Sequence, residues 1–527
     1  MLVVAAVATV AVAAGTTPAS AAPIADGLAG RAPVAGVGVA TARTVDARSL
    51  SSAAEPAAPS AAAADATVPA QRRGTALLPS RPSTGSKPAV PATVTGARGP
   101  NSLASRPVQP LTAPGTVANF AGIDQATGCG GCQPPDVNAA VGGTQILEAV
   151  NLRLQTTNKT GTQLCSFSLA SFLGTTDSLS DPRVQYDNVN NRYSLTLTVV
   201  PASTTAAPAL WVGASTSSDA CGSWFIYRIT FSGGSFPAGT LLDYPILGQD
   251  SNALLFGTDN FTPTSHNATV FGIPKSAVYA GAGFSFSAFT TASLSAPVSN
   301  AGIPMISTPF SYFVASVPGT GYRLYRLTNS GGAGAALTLQ ATISSTFNAP
   351  TRRINQPGTP TTLDPLDGRI AWSPVNDGNF IWFAHGIDIG GFPGVRYGAI
   401  SIAGNTATVA LAYRSSSSDD FNPSIGVANN PGGGNFIYVN WAYTDTANNI
   451  ATSDTVDSVA PGGGVPNLIG TGAVLINGSA TSQTRFGDYS SVAIDPTVAS
   501  GSCAVVAQQY FAAGGAWRTR IGRVGTC

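Results

Sequence analysis

Asp181-Pro182-Arg183-Val184 heads the stretch that decides the fold. Behind it, β-rich runs alternate with turn signals: Arg183–Tyr186, Arg192–Val200, Leu210–Ser215 and Trp224–Thr230 predict four short strands. The opening phrase is an Asp, Asn or Tyr beside Pro or Gly that leads into a β-run. It recurs at Pro135-Asp136-Val137-Asn138, Asp243-Tyr244-Pro245-Ile246 and Gly302-Ile303-Pro304-Met305. It returns at Asp367-Gly368-Arg369-Ile370, Asn422-Pro423-Ser424-Ile425 and Gly487-Asp488-Tyr489-Ser490. The intervals, about 45 to 65 residues, hold four strands plus loops. Seven such units predict an all-β chain folded as a seven-bladed β-propeller of four-stranded antiparallel blades.

Composition agrees. The chain has three lysines, Glu only at Glu55 and Glu148, 59 glycines and 38 prolines, so helix formers are scarce while Val, Ile, Thr, Phe and Tyr recur in runs. The propeller is expected to occupy residues 116–527. A ring must be sealed where its ends meet, or one blade exposes an unpaired edge. The strand near Val117–Gly122 is therefore expected to join the last blade beside Trp517–Val524.

Ahead of the domain, Met1 to Ala14 is apolar or small, and Ala19-Ser20-Ala21 supplies a small-x-small cleavage pattern. The run is too short to cross a bilayer, so residues 1–21 are expected to be a secretory signal peptide and the protein extracellular. Residues 22–115 are mostly Ala, Pro, Ser, Thr, Gly and Val with no aromatic side chain. Such a segment buries too little surface to offset the entropy of ordering it, which predicts a disordered linker. It carries nine basic and four acidic residues, a net +5, which leaves −4 on the remainder of a chain whose total is +1. The basic tail could touch anionic cell-wall polymers or be a solvated spacer.

All six cysteines lie in the domain, and an even count in an exported chain favours disulfides. Cys503 begins the strand Ala504–Phe511 and Cys527 ends the strand carrying Arg518–Val524, so their bridge would staple the final blade. Cys129 with Cys132, a local loop bridge, and Cys165 with Cys221 follow by exclusion. Cys129-Gly-Gly-Cys132 also has the form of half a zinc motif, but no second Cys or His pair follows at ligand spacing.

Ser217-Ser218-Asp219-Ala220-Cys221-Gly222-Ser223-Trp224 resembles the Asp box of sialidase-like propellers, with departures at Cys221 and Ser223. The resemblance implies a structural role: Asp219 orders the turn that Ser217 opens, and Trp224 packs between blades. The whole domain resembles a family of secreted bacterial propeller proteins with no assigned activity. The matching stretches are Asn119-Phe120-Ala121-Gly122, Pro134 to Gly142, Gln356-Pro357-Gly358-Thr359, Arg485 to Ser491 and Trp517 to Gly522. The chain departs from that family at Val395-Arg396-Tyr397-Gly398, where Arg-Trp-Tyr-Glu is usual, and near Ala371–Asn376, where an Arg-rich stretch is missing.

Recognisable catalytic sets are sparse. The two histidines, His266 and His385, are far apart in sequence, and no Gly-x-Ser-x-Gly elbow occurs. The Phe/Tyr-Arg-Ile-Pro motif of sialidases is missing, and Tyr325-Arg326-Leu327 is a poor substitute. Glu148, in the strand Ile146–Leu152, is either a base or a strand residue of the channel wall or surface. The repeat phrases offer more, because a propeller gathers the starts of its inner strands around one rim. That ring would hold Asp136, Asp181, Asp243, Asp367, Asn422 and Asp488, with Arg183 and Arg369 at equal offsets, Arg485 nearby, and Tyr244 and Tyr489 among them.

Two accounts of the ring compete. The acids could tie strand ends to neighbouring backbone N–H groups. Alternatively, Arg183, Arg369 and Arg485 could grip the carboxylate of an acidic glycan while Tyr244 and Tyr489 offer apolar faces to its sugar rings. The expected function is a secreted propeller that binds an extracellular glycan or other surface polymer. The alternative is a glycoside hydrolase or polysaccharide lyase using carboxylates, candidates Asp136, Asp181, Asp488 and Glu148; rim acids about 5 to 10 Å apart and aimed into one cleft would favour it. No cofactor is expected, although Ca²⁺ held by rim carboxylates for stability fits either account. With no basic stripe interleaved with aromatics, nucleic acid is not expected as a partner. A monomer without a membrane span is expected.

Overall fold

The computed structural model describes residues 34–36, 42–50, 78–80, 85–88 and 113–527, apart from 234–235, 303–304, 333 and 429–434. The expected signal peptide and most of the expected linker lie outside the described residues. The described residues form seven sheets, each built on a run of four strands. Each sheet packs on the next, and the last, from Ser491 to Gly525, packs back on the first, from Asn138 to Ser168. The architecture is a β-propeller.

The inner strands explain the repeat phrase. Asp136, Asp181, Tyr244 and Asn422 have φ of 54°, 59°, 49° and 51°. At three of these the ladder slips, between Ser180 and Arg183, Asp243 and Ile246, and Phe421 and Ser424. These are β-bulges with one left-handed residue each, a conformation that Asp and Asn tolerate better than other side chains. The phrase thus marks a bulge that turns one polar side chain toward the neighbouring blade. In the second sheet the strands run Ser178–Asp187, Arg192–Val200, Ala209–Ser215 and Ser223–Thr230, close to the expected spans.

The fourth and fifth repeats correct the expectation. The inner strand of the fourth sheet is Ala296–Pro297, ahead of Gly302 and Met305, and Ile303 and Pro304 lie outside the described residues. The inner strand of the fifth is Val375–Asn376, so Asp367 and Arg369 belong to the connection that precedes it. Prolines at positions 297 and 374 cannot donate to a ladder, which keeps both strands to two residues.

Among the described residues, apolar side chains from facing sheets make a core between each sheet and the next. Leu147 and Phe167 of the first sheet meet Leu195 and Trp224 of the second, and Val395 and Tyr397 of the fifth meet Val439 and Trp441 of the sixth. At the seam, Val141 and Ile146 meet Val505, Trp517 and Ile521. The ring closes as expected: Thr116–Asp124 pairs antiparallel with Trp517–Gly525, Phe120 opposite Ile521. Asn119 braces this strand, donating to Leu475 O at 2.8 Å and accepting from Arg520. The three disulfides are Cys129–Cys132, Cys165–Cys221 and Cys503–Cys527, the pairs expected from sequence.

The expectation of disorder over residues 22–115 fails at two edges. Arg43–Asp46 adds a fifth strand to the second sheet, opposite Ser223–Ile226, and Val34–Gly36 pairs with Phe286–Ala288. Outer strands offer unpaired backbone groups, so a segment too poor to build a core can still be ordered on one. Ala47 is buried behind the added strand, with Val45 and Leu50 packed against the same core.

Candidate functional site

The structure brings most of the predicted ring together and encloses it. Asp136, Asp181, Arg183, Asp243, Tyr244, Asn422, Asp488 and Tyr489 are all buried. The bulged side chains reach across blades. Asp136 Oδ1 accepts from the Asp488 backbone N–H at 2.8 Å, and its other oxygen accepts from Asn151 Nδ2 at 2.6 Å. Asp181 Oδ2 accepts from the Tyr244 N–H at 3.2 Å and the Tyr489 hydroxyl at 2.7 Å. Asn138 Oδ1 accepts from the Val184 N–H at 2.8 Å, and Asn422 Nδ2 donates to Tyr489 O at 3.1 Å. Burial, followed by the neighbouring Asp488 and Asp181, pushes the Asp136 carboxyl up to about 7.

The three arginines expected to grip an acidic glycan make contacts inside this lock. The Arg183 guanidinium lies 3.3 Å from the centroid of the Tyr489 ring and donates to Ala371 O at 2.6 Å. Arg369 covers Tyr244 at 4.2 Å and pairs with Asp367 at 2.5 Å and Asp259 at 2.9 Å. Arg485 pairs with Asp488 at 2.7 Å. The faces of Tyr244 and Tyr489 that were to receive a sugar are therefore covered by guanidinium groups, and the two tyrosines meet edge to face.

A long connection between Ser344 and Val375 seals this rim. Ile354 and Leu363 are buried in the seam core with Val137 and Phe486. Gln356 exchanges hydrogen bonds with Thr481, accepting from its N–H at 3.0 Å and donating to its carbonyl at 3.2 Å. Asn355 N donates to Asp419 at 2.9 Å, and Arg353 reaches Thr484 O at 3.0 Å. The sequence reading missed the cover. Its signal was the unusual length of a stretch without strands, since structureless connections beyond about 15 residues are uncommon and often functional.

Other candidates are structural in their contacts. Glu148 stands in the strand Gln145–Val150, away from the ring, and accepts from the Ile123 N–H at 3.3 Å and the Thr519 hydroxyl. Burial pushes its carboxyl up to about 7. His266 pairs with Asp259, and His385 meets the Tyr322 hydroxyl at 2.9 Å where burial pushes it down to about 3. In the Ser217–Trp224 turn, Ser217 Oγ accepts from the Asp219 N–H, and Asp219 accepts from the Cys221 N–H. Trp224 is fully buried and donates to Ala220 O. Among the described residues, no group of three or more His, Cys, Asp or Glu is placed to hold a metal ion.

An open space lies beyond the ring. The channel widens where the inner strands end, in a cavity of about 140 Å³ lined from all seven sheets or their connections. Its walls are Ala, Val and Gly backbone between Gln185, Tyr186, Asn188, Gln249, Asn300 and Trp372, with no acidic, basic or histidine side chain among the described lining residues. The amides are held by hydrogen bonds: Gln185 Nε2 to Ser299 Oγ at 2.5 Å, Asn188 Nδ2 to Gly302 O at 2.9 Å, and Gln249 at both ends, its Nε2 donating to Tyr186 O at 2.8 Å and its Oε1 accepting from Lys275 Nζ at 2.9 Å. Gln185 Oε1 is buried and has no hydrogen-bond partner among the described residues.

No protein-family model matches the chain. No characterised protein matches it in sequence. Among solved structures, an exo-β-1,3-galactanase from Phanerochaete chrysosporium is similar at 11% identity and a TM-score of 0.31, over 78% of this chain and 98% of that one. A subtype N10 neuraminidase-like protein of A/little yellow-shouldered bat/Guatemala/060/2010 is similar at 8% identity and a TM-score of 0.36, over 66% and 99%. A GH43 endo-arabinanase from Bacillus licheniformis is similar at 12% identity and a TM-score of 0.27, over 62% and 93%.

Proposed function

We propose that this protein is a secreted propeller that binds an uncharged extracellular glycan in the widened end of its channel. The carrying observation is the lining of that cavity: oriented amides, hydroxyls and two aromatic side chains, Tyr186 and Trp372, without a carboxyl, amine, guanidinium or imidazole group among the described lining residues. Apolar walls with a few placed polar groups are what small-molecule sites require, and sugars present both hydroxyls and an apolar ring face. Gln185 Oε1 is a ready acceptor for one ligand hydroxyl, since a buried acceptor without a partner costs free energy until it finds one.

Binding is favoured over the enzymatic alternative in this proposal because Asp136, Asp181, Asp488 and Glu148 are buried. Three disulfides suit an oxidising compartment, and no helix among the described residues is long and apolar enough to cross a membrane. We place the chain with the secreted bacterial propellers that its five stretches resemble. In support, those stretches coincide with the closing strand, the first inner strand, the rim cover and the seam. The test is a screen of the purified protein against neutral and acidic oligosaccharides, scored for binding and for released product. Binding of a neutral sugar that Trp372→Ala abolishes, with no product, supports the proposal. Binding of acidic sugars alone, or turnover of a glycan, overturns it.

A further inference from the structure

Lys87 is one of only three lysines in the chain and lies far ahead of the closing strand, yet its side chain is 0% exposed. Its Nζ donates to Asp420 at 2.9 Å, to Ser415 O at 3.2 Å, and to both the Oγ, at 3.2 Å, and the carbonyl of Ser418. The rings of Tyr413 and Phe392 flank it at 4.9 and 5.3 Å. A carboxylate, carbonyls and aromatic faces together make a cage that selects an ammonium group.

Every wall of the cage belongs to the propeller, and the cage is braced without the lysine. Asp420 Oδ1 accepts from the Arg414 N–H at 2.7 Å and the Trp441 indole at 3.0 Å, while Oδ2 accepts from Ser418 Oγ at 2.5 Å. Ser415 N in turn donates to Ser418 Oγ at 2.9 Å. The flanking residues sit as a bound peptide does. Lys87 N donates to Ser416 O at 2.7 Å, Gly85 lies over Phe392, and Pro88 packs so close to Gly390 that a Cβ there would come within 2.7 Å of its ring.

We infer that this groove between the fifth and sixth sheets is a recognition site for an extended peptide carrying a primary alkylammonium. Its occupant in this structure is the chain's own Gly85–Pro88. The described segment acts as an internal ligand, held by one side chain and one backbone bond, so a peptide of like chemistry can compete for the place. The arrangement is independent of the channel cavity, which lies on the propeller axis among other residues.

The test uses the full chain with Lys87→Ala, which empties the cage. The variant should melt several degrees below the wild type. The peptide acetyl-Gly-Ser-Lys-Pro-amide should bind it measurably by calorimetry and restore the lost melting temperature. The wild type should bind at least tenfold more weakly, because its cage is filled. n-Butylammonium separates the two sources of the charge: a peptide site binds it at least tenfold more weakly than the peptide, while equal binding reduces the site to an amine pocket and overturns the peptide reading. Adding Asp420→Asn should abolish both. Failure of the Lys87→Ala protein to bind the peptide, or equal binding by the wild type, overturns the inference. If the Ala variant does not fold, Lys87→Met keeps the stem against Phe392 and Tyr413. That protein should be stabilised by methylammonium chloride over sodium chloride, and equal stability in the two salts overturns it.

Discussion

Replacing Glu148 by Gln should stabilise the protein at alkaline pH and leave it almost unchanged in acid. Glu148 is 2% exposed, and the closing strand runs directly over it: a Cβ on Gly122 would stand 2.4 Å from its Oε2. Burial outweighs the hydrogen bonds from Thr519 and Ile123 and lifts the carboxyl from its ordinary 4.5 to about 7. That difference corresponds to about 3 kcal/mol by which folding disfavours the ionised form. The sign follows from proton counts. Below pH 4.5 both folded and unfolded chains hold the proton and no penalty exists. Between 4.5 and about 7 the unfolded chain ionises first, so stability falls as pH rises, and above 7 the whole penalty stands.

Gln keeps the shape and the acceptor for Ile123 N–H. The Thr519 hydroxyl reaches that same oxygen and can go on donating to it, or to Ile123 O 3.1 Å away. Urea unfolding of wild type and Glu148→Gln at pH 4 and pH 8 measures the effect as a difference of differences. Asp136 and Asp454, also lifted to about 7 by burial, cancel in that comparison. The variant should gain about 3 kcal/mol at pH 8 and less than about 1 kcal/mol at pH 4. Equal gains at both pH values, or a loss at pH 8, would refute the reasoning.

Three further outcomes follow from the same geometry. Gly122→Ala forces a methyl into the Glu148 carboxylate and the Thr519 hydroxyl, each 2.4 Å away, and should cost about 1–3 kcal/mol; an unchanged melting temperature would mean the seam does not close there. Removing the Cys165–Cys221 bridge, whose ends are 56 residues apart in sequence and tie the first sheet to the second, should cost about 4 kcal/mol by loop-closure entropy, read as a shift of the urea midpoint. Arg183→Met removes the cation on the Tyr489 ring and its hydrogen bond to Ala371 O, and should cost about 1–3 kcal/mol. Glycan binding by the surviving folded fraction should be unaltered, and loss of binding without loss of stability would return Arg183 to a ligand site.

The strands of the second sheet were legible from local chemistry, turn residues and β-branched runs, closure from the need to pair the ring's ends, and Cys503–Cys527 from cysteines at strand ends, with the other two disulfides following by exclusion. The repeat phrase was legible for a reason that its bare pattern does not state. Asp181, Asn422 and Asp136 are where the backbone turns left-handed, and their residue types are the ones that tolerate it. Tyr244 adopts the same conformation without that chemical licence, so its repeat was recognisable only by its Pro245. Where the phrase occurred without a bulged inner strand, at Gly302 and Asp367, it misplaced the fourth and fifth strands. Order in the N-terminal segment was illegible from composition, since Arg43–Asp46 and Lys87 are held by edges and a cage that the propeller provides.

The same pseudo-symmetry that gathers charged residues at one rim also explains why that rim is not the open site. The bulged Asp136, Asp181 and Asn422 each point a polar group at a neighbouring blade's backbone, so these side chains are engaged within the protein. A fixed set of ion pairs and hydrogen bonds across blades holds inner strands in register, which suits a ring that must not open. The opposite ends of those strands carry no such obligation. There the side chains facing the axis are Ala, Val, Gln, Asn and Ser, and the space between them stays open. A search for function by charge leads to the lock; among the uncharged amides at the far end, Gln185 keeps in its Oε1 an acceptor that a ligand can use.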